Sequence, residues 1–449
     1  MYWHKCEYKY SIRQQPSYTN ATQRSMRLLP TKWNVYNLLQ SPYFQLPLES
    51  GELTSRPLSL FVGRDTELER LRGNIHGAGD NGTVQAVAGA TGIGKTTLVK
   101  ELKALALDDG YLTTDDLVAI LPNESPESLF GRVLSALYDT IIANRPQSGD
   151  NPAMADAKAL VRVTRLVSGS LNLQVPGVGG FGGSRATSLV TPKDIMFDGP
   201  RVMRDLTRMV RGSDARGVLL HLNNLENLSE RDATNAAEVL RALRDIMLLH
   251  NGLHYVIVGT TDAVQLTVNT HAQVRSIVST LVLTPFKIKE VHQLLQARYD
   301  HLRLNVAKPA VPPVQAAAVA ALYQFFQGDL RGLLKALEDG VLPLIGLNDS
   351  TARSLGIGEL RPVLQQRYAA ELATLPEQNR VSQLTKWGAK APAVSQTQQS
   401  LGKLWGISQG PVSTAVAYLV AKGYVLALPR VGANPIQYTL SGASRLIFG

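Results

Sequence analysis

A chain of 449 residues is long for one core, so two or three domains are expected. Its apolar share of 44% and charged share of 18% are those of an ordinary soluble protein, and no run approaches the roughly 18 apolar residues of a membrane span. The first thirty residues lack a signal-peptide apolar core, and the lone Cys6 excludes an internal disulfide framework and a cysteine-based zinc site, so a cytoplasmic setting is expected. The net charge of +10 is unevenly placed. Past Glu377 there is no Asp or Glu, while Arg380, Lys386, Lys390, Lys403, Lys422, Arg430 and Arg445 give that stretch a formal charge of +7. An acid-free domain points to a polyanionic partner, most often nucleic acid; a merely basic surface is the other reading.

Residues 1–57 read as an irregular arm, polar and aromatic at its start, and Met26 is an alternative first residue. "TVQAVA" (83–88) is a short apolar run ended by glycine and followed by the helical pattern "TTLVKELKALAL". "LVAILP" (117–122) predicts a strand, with a helix near 126–144. The segment 145–200 breaks this rhythm, and its glycine cluster predicts a β-hairpin near 168–192 with a flexible tip. Helix, strand and helix resume at 200–214, 217–222 and 231–249, then strands at 254–261 and 279–283. This alternation predicts an α/β fold with a parallel sheet covered by helices over 58–286. Residues 287–345 are helical only, 346–380 read as a connector, and 381–449 as a small separate domain.

"GATGIGKT" (89–96) fits G-x-x-x-x-G-K-[ST] and has its strand before and helix after. Gly89, Gly92 and Gly94, with Thr91 between, let the backbone curl so that successive N–H groups meet phosphate oxygens. Lys95 adds charge near the β- and γ-phosphates, and the Thr96 hydroxyl is suited to Mg²⁺. The helix that opens with Thr96 and Thr97 aims its positive end at the same anion. ATP with Mg²⁺ is the expected ligand.

Beyond the loop, residues 59–449 resemble the AAA+ ATPases of the origin-recognition initiator type. "LFVGRDTELERL" (60–71) is similar to the segment that precedes the first strand in that group, which implies that Phe61, Val62 and Gly63 sit beside the adenine. "VGTTD" (258–262) resembles the sensor-one strand end, implying that Thr260 or Thr261 meets the γ-phosphate; taken alone, such a pair is a helix cap. "HAQVRSIVSTLVLTPF" (271–286) is similar to the arginine-finger segment. That implies self-association in which Arg275 acts on a neighbour's nucleotide. "GDLRGLLKAL" (328–337) resembles the sensor-two motif of a helical lid over 287–345, with Arg331 at the γ-phosphate. One departure stands out. Where the family carries two acids, "NNLE" places Asn223 and Asn224. Asparagine keeps a carbonyl oxygen for a metal's shell but supplies neither charge nor base, so slow or absent hydrolysis is expected, unless Glu226 takes over.

"TQQSLGKLWGISQGPVSTAVAYLVAKGYVLAL" (397–428) reads as a helix-turn-helix. Leu401 and Leu404 face inward on one helix, Gly406 makes the turn, and Ser408 caps the next. Val412, Val416 and Leu419 form its buried side. Gln409, Ser413, Thr414 and Ala417 face outward, and "PRVGANP" makes a wing bearing Arg430, with Lys422 nearby. The expectation is an ATP-binding, nucleotide-dependent switch on DNA. The alternatives are a signalling ATPase of bacterial defence or transposition that reads out to a partner protein, and a scaffold that binds DNA without nucleotide control.

Overall fold

The computed structural model describes residues 31–49, 54, 56–171, 192–346, 351–428 and 434–448. The arm through residue 30, the Met26 start, most of the glycine-rich hairpin and Arg430 lie outside the described residues.

Helix α1 (Asp65–Gly77) leads into β1 (Thr83–Ala88), and β1 into the glycine loop and α2 (Lys95–Asp108). Two short strands follow, β2 (Tyr111–Leu112) and β3 (Val118–Ala119), the second being all that "LVAILP" contributes. Helix α3 (Pro126–Asn144) starts where the Ser125 hydroxyl accepts from the Ser128 N–H, with proline at its first position. Next come α4 (Pro152–Leu171), α5 (Pro192–Arg211), β4 (Gly217–Asn223) and α6 (Glu230–Ala242). Helix α6 stops short of 249, and a π-turn covers Arg244–Leu248. Strand β5 (Leu253–Gly259), α7 (Thr261–Asn269), α8 (Ala272–Arg275) and β6 (Val278–Val282) complete the unit.

The strand order is β2-β4-β5-β1-β6 with β3 also on β4, and every pair is parallel. Side chains of β1 alternate between two cores. Val84, Ala86 and Ala88 join the cluster built with α3, α5 and α6, while Val87 joins the one built with α1 and α2. The sheet is therefore covered on both faces, and β1 delivers the glycine loop at its C-terminal edge, where such sheets bind ligands.

The hairpin expectation needs correction at its ends. Residues 168–171 close α4 and Pro192 opens α5. Met154, Ala157 and Val161 recur at helical spacing as the buried stripe of α4, so this part of the insertion belongs to the helical layer.

A separate core belongs to α9 (Ile288–His301), α10 (Ala316–Phe325) and α11 (Leu330–Val341), all within 287–345, called the lid below. It also takes in α12 (Ile357–Ala373), inside the expected connector, through Leu360, Leu364 and Tyr368. The last core holds α13 (Gln378–Lys390), α14 (Gln398–Trp405), α15 (Gln409–Ala421), and the antiparallel pair β7 (Val425–Ala427) and β8 (Tyr438–Leu440). The chain ends in α16 (Gly442–Phe448). This is a helix-turn-helix followed by a two-stranded wing. No helix among the described residues is long and apolar enough to cross a membrane.

Candidate functional site

A cleft opens between the glycine loop and the lid. Its lining gathers Phe61, Val62, Thr91, Gly92, Gly94, Lys95, Thr96, Thr97, Glu226 and Arg331 from four separate stretches of the chain. Lys95 opens α2 and is buried, its Nζ donating to the carbonyls of Gly89 and Ala90 at 2.9 Å each. Burial lowers its pKa, with nearby Arg331 pushing the same way and Glu226 opposing. Three charges thus converge on the loop: two cations and one carboxylate.

The lid meets the loop at Gly92, which has φ +81°. A Cβ there would lie 2.6 Å from Asp329 Oδ1 and 3.0 Å from Arg331 Cβ, so only glycine fits. Asp329 caps α11, accepting from the Gly332 N–H at 3.0 Å, and burial raises its carboxyl pKa. That cap fixes the first turn of α11 and with it the position of Arg331. On the other side, Gly63 lies under Phe286, and Arg64 is buried over the Phe286 ring, 4.1 Å from its centroid. Arg64 also donates to the Thr284 carbonyl at 2.7 Å, which ties the Phe61–Val62 wall to the lid's entrance.

The two asparagines part company. Leu219 and His221 of β4 face α2, and Asn223 continues that face by alternation. Its Oδ1 is buried without a hydrogen-bond partner. Such an oxygen fits a ligand that brings its own donors, such as a hydrated cation, better than it fits a packed interior. Asn224 sits at φ 82°, donates from Nδ2 to the Ile120 carbonyl at 2.9 Å, and accepts from Asn227. Its amide is therefore spent on the neighbouring loop rather than on the cleft. Leu225 sets this register. It is fully buried, and a Cβ on Gly259 would come within 2.8 Å of its Cβ. With Leu225 turned inward, Glu226 lands on the cleft wall.

The other expected residues are distributed as follows. Thr260 follows β5 and caps α7, accepting from the Ala263 N–H at 3.4 Å, and neither it nor Thr261 is among the cleft lining. Arg275 is exposed at the end of α8, away from its own cleft. In the C-terminal unit Leu401, Val412, Val416 and Leu419 are buried and Gly406 ends α14 at φ 70°. Leu404 is only half-buried, Trp405 filling that core instead. Ser408 stands at the N-cap of α15, though its side chain makes no capping bond. Gln409, Ser413, Thr414, Ala417 and Lys422 are all exposed, and the Lys422 ammonium sits 5.8 Å from the Tyr418 ring centroid.

Sequence reasoning missed the contribution of residues 45–48 and of Arg64 and Arg298, all of which line the cleft. The signal for the first was the aromatic density of "WNVYNLLQSPYF", which marks a packed segment rather than an irregular one. Among the described residues no group of three or more His, Cys, Asp or Glu side chains is placed to hold a metal ion.

No family model matches the chain, and no curated protein does. Solved structures similar to it include the ORC2 protein of Aeropyrum pernix in ADPNP–ADP complexes, 14% identical over 90% of this chain and 95% of that one, with a TM-score of 0.43. The ORC1 protein of Aeropyrum pernix in complex with DNA is 14% identical over 91% and 96%, with a TM-score of 0.42. Drosophila ORC bound to DNA is 13% identical over 97% and 95%, with a TM-score of 0.39. Likeness at this level carries no functional conclusion by itself.

Proposed function

We propose that the chain is an ATP-binding switch of the AAA+ initiator type, acting on DNA through its C-terminal unit and hydrolysing nucleotide slowly. The observation that carries this reading is the convergence of Lys95, Thr96, Arg331 and Glu226 on one cleft. Phosphates would lie in the loop amides at the positive end of α2, with Lys95 leaving the Gly89 and Ala90 carbonyls to meet them. Arg331, brought from the lid, would then hold the lid against the sheet for as long as a γ-phosphate is present. Thr96 and Asn223 offer neutral oxygens to Mg²⁺, which when bound would offset phosphate charge. Glu226 is the carboxylate on the cleft wall and is the candidate base for the attacking water.

The exposed face of α15 supports docking in a major groove, and the absence of acids after Glu377 supports attraction to phosphates. Arg275, exposed at the end of α8, would act on a second copy's nucleotide. The test is a gel-shift and sizing series with ATP, ADP and no nucleotide, on the wild type and on Lys95→Ala. DNA affinity or assembly size should change with ATP in the wild type and not in the variant. Identical behaviour in all three nucleotide conditions would leave a DNA-binding scaffold as the better reading.

A further inference from the structure

A strap of chain preceding the recognised motifs closes one end of the cleft. Residues 32–48 run along the lid. Trp33, Tyr36, Leu38 and Tyr43 are buried in the lid core. Lys32 Nζ donates to the Leu342 carbonyl at 3.1 Å, the Tyr36 hydroxyl to that of Arg353 at 3.0 Å, and the Leu39 N–H to that of Leu302 at 2.8 Å. Arg298 of α9 makes the last stitch. Its Nη1 donates to the carbonyls of Pro42 at 3.0 Å and Phe44 at 2.9 Å, and its guanidinium lies 3.8 Å from the Phe44 ring centroid. A buried planar cation shared between two carbonyls of one segment fixes that segment's course.

Residues 45–48 emerge beyond this clasp, and all four line the cleft with Phe61 and Val62. Leu46 is 62% exposed at the rim and Leu48 is buried. The Gln45 side-chain amide has no hydrogen-bond partner among the described residues, although the residue is half-buried in the cleft wall. An amide on the cleft wall with no protein partner among the described residues is free to exchange water for a planar polar ligand.

We propose that residues 45–48 form the outer wall of the base pocket, that the Gln45 amide selects adenine over guanine, and that Arg298 is the positioning residue that holds this wall. The proposal rests on the cleft being the nucleotide site. On the edge carrying N7, adenine presents a donor beside an acceptor, which an amide meets with two hydrogen bonds. Guanine presents two acceptors there and receives one. Because the strap is sewn to the lid, the base and Arg331 engage the same moving piece from opposite ends of the nucleotide.

The experiment titrates ATP, GTP and inorganic tripolyphosphate against the wild type, Lys95→Ala, Gln45→Ala and Arg298→Lys. The wild type should prefer ATP to GTP, and Gln45→Ala should lose about five- to hundredfold of ATP affinity, the worth of one bidentate amide–base pair, with GTP little changed. Arg298→Lys keeps the charge but loses the flat guanidinium stacked on the Phe44 ring, and should weaken ATP while leaving tripolyphosphate unchanged, which a merely unfolded lid would not do. An unaltered ATP-to-GTP ratio in Gln45→Ala overturns the proposal. So does a wild type indifferent to the base. Undiminished binding of all three ligands by Lys95→Ala would instead overturn the nucleotide site itself.

Discussion

At the residue scale, the tetrad Asn223, Asn224, Leu225, Glu226 decides how the cleft works. The motif positions were legible in the sequence: Lys95, Thr96 and Arg331 were assigned from pattern, and all three line one cleft. What pattern could not give was the direction of two neighbouring amides. That direction depends on the Ile120 carbonyl, which Asn224 meets from 104 residues away, and on Leu225 finding room against Gly259. The consequence is an asymmetry between substitutions. Glu226→Gln should lower ATP turnover by roughly 10²–10⁴-fold, the usual worth of a general base, while ATP affinity stays within a few fold. Asn223→Asp should raise turnover by placing charge beside the cation. Asn224→Glu should not, since a longer side chain at φ 82° forfeits the bond to Ile120 and costs about 1–3 kcal/mol of stability. Phosphate release and nucleotide titration on the three variants measure both effects. A gain of turnover in Asn224→Glu would contradict the geometry.

At the element scale, long periodic runs were legible and short or interrupted ones were not. Strands 83–88 and 217–222 and the helix at 126–144 carry enough apolar repeats to announce themselves. Strand β2, two residues long, carries none, and it exists only because β4 offers it an edge. Helix α12 was hidden by Pro362 in its interior, although Leu360, Leu364, Tyr368 and Leu372 form a stripe at every fourth residue. The two central strands β4 and β5 each bury a histidine, and this yields a pH prediction. Burial pushes His221 down to about 3 and His254 down to about 4, from an ordinary value of 6.5. The unfolded chain therefore binds protons below about pH 6.5 that the folded chain refuses, so stability is fully present above that pH and is lost as it falls towards 4. At pH 5 each histidine should cost about 2 kcal/mol. Urea unfolding at pH 7.5 and 5 should show the loss, and His254→Gln should remove about half of the histidine share. A variant as acid-sensitive as the wild type would show that carboxylates dominate instead.

At the scale of the whole molecule, the C-terminal unit was legible as a helix-turn-helix but its docking was not. Docking depends on contacts between residues more than a hundred positions apart. Helix α16 serves two cores at once. Leu446 is buried in the lid core, and Phe448 packs against Gly388 of α13, in the C-terminal unit. The Phe326 ring lies where a Cβ on Gly442 would be, at 2.2 Å. Since α11 of the same lid carries Arg331 to the glycine loop, a change at the nucleotide would be passed to the helix-turn-helix through packed side chains rather than through a loose tether. DNA binding should accordingly be measured on the full chain, because residues 381–449 alone would expose the face of α16 that the lid covers. If four or five basic groups meet phosphates, affinity should fall with salt at a log–log slope of roughly −4, and Lys422→Ala should flatten that slope by about one. Leu446→Ala is the sharper probe. It opens a hole of several methyl groups between lid and C-terminal unit, while leaving the outer face of α15 intact. Its DNA affinity without nucleotide and its salt slope should match the wild type, whereas the change in affinity on adding ATP should shrink towards zero. Loss of the nucleotide-free affinity would mean that the hole damages the DNA-binding face itself. An ATP response of full size would show that α16 does not link the two.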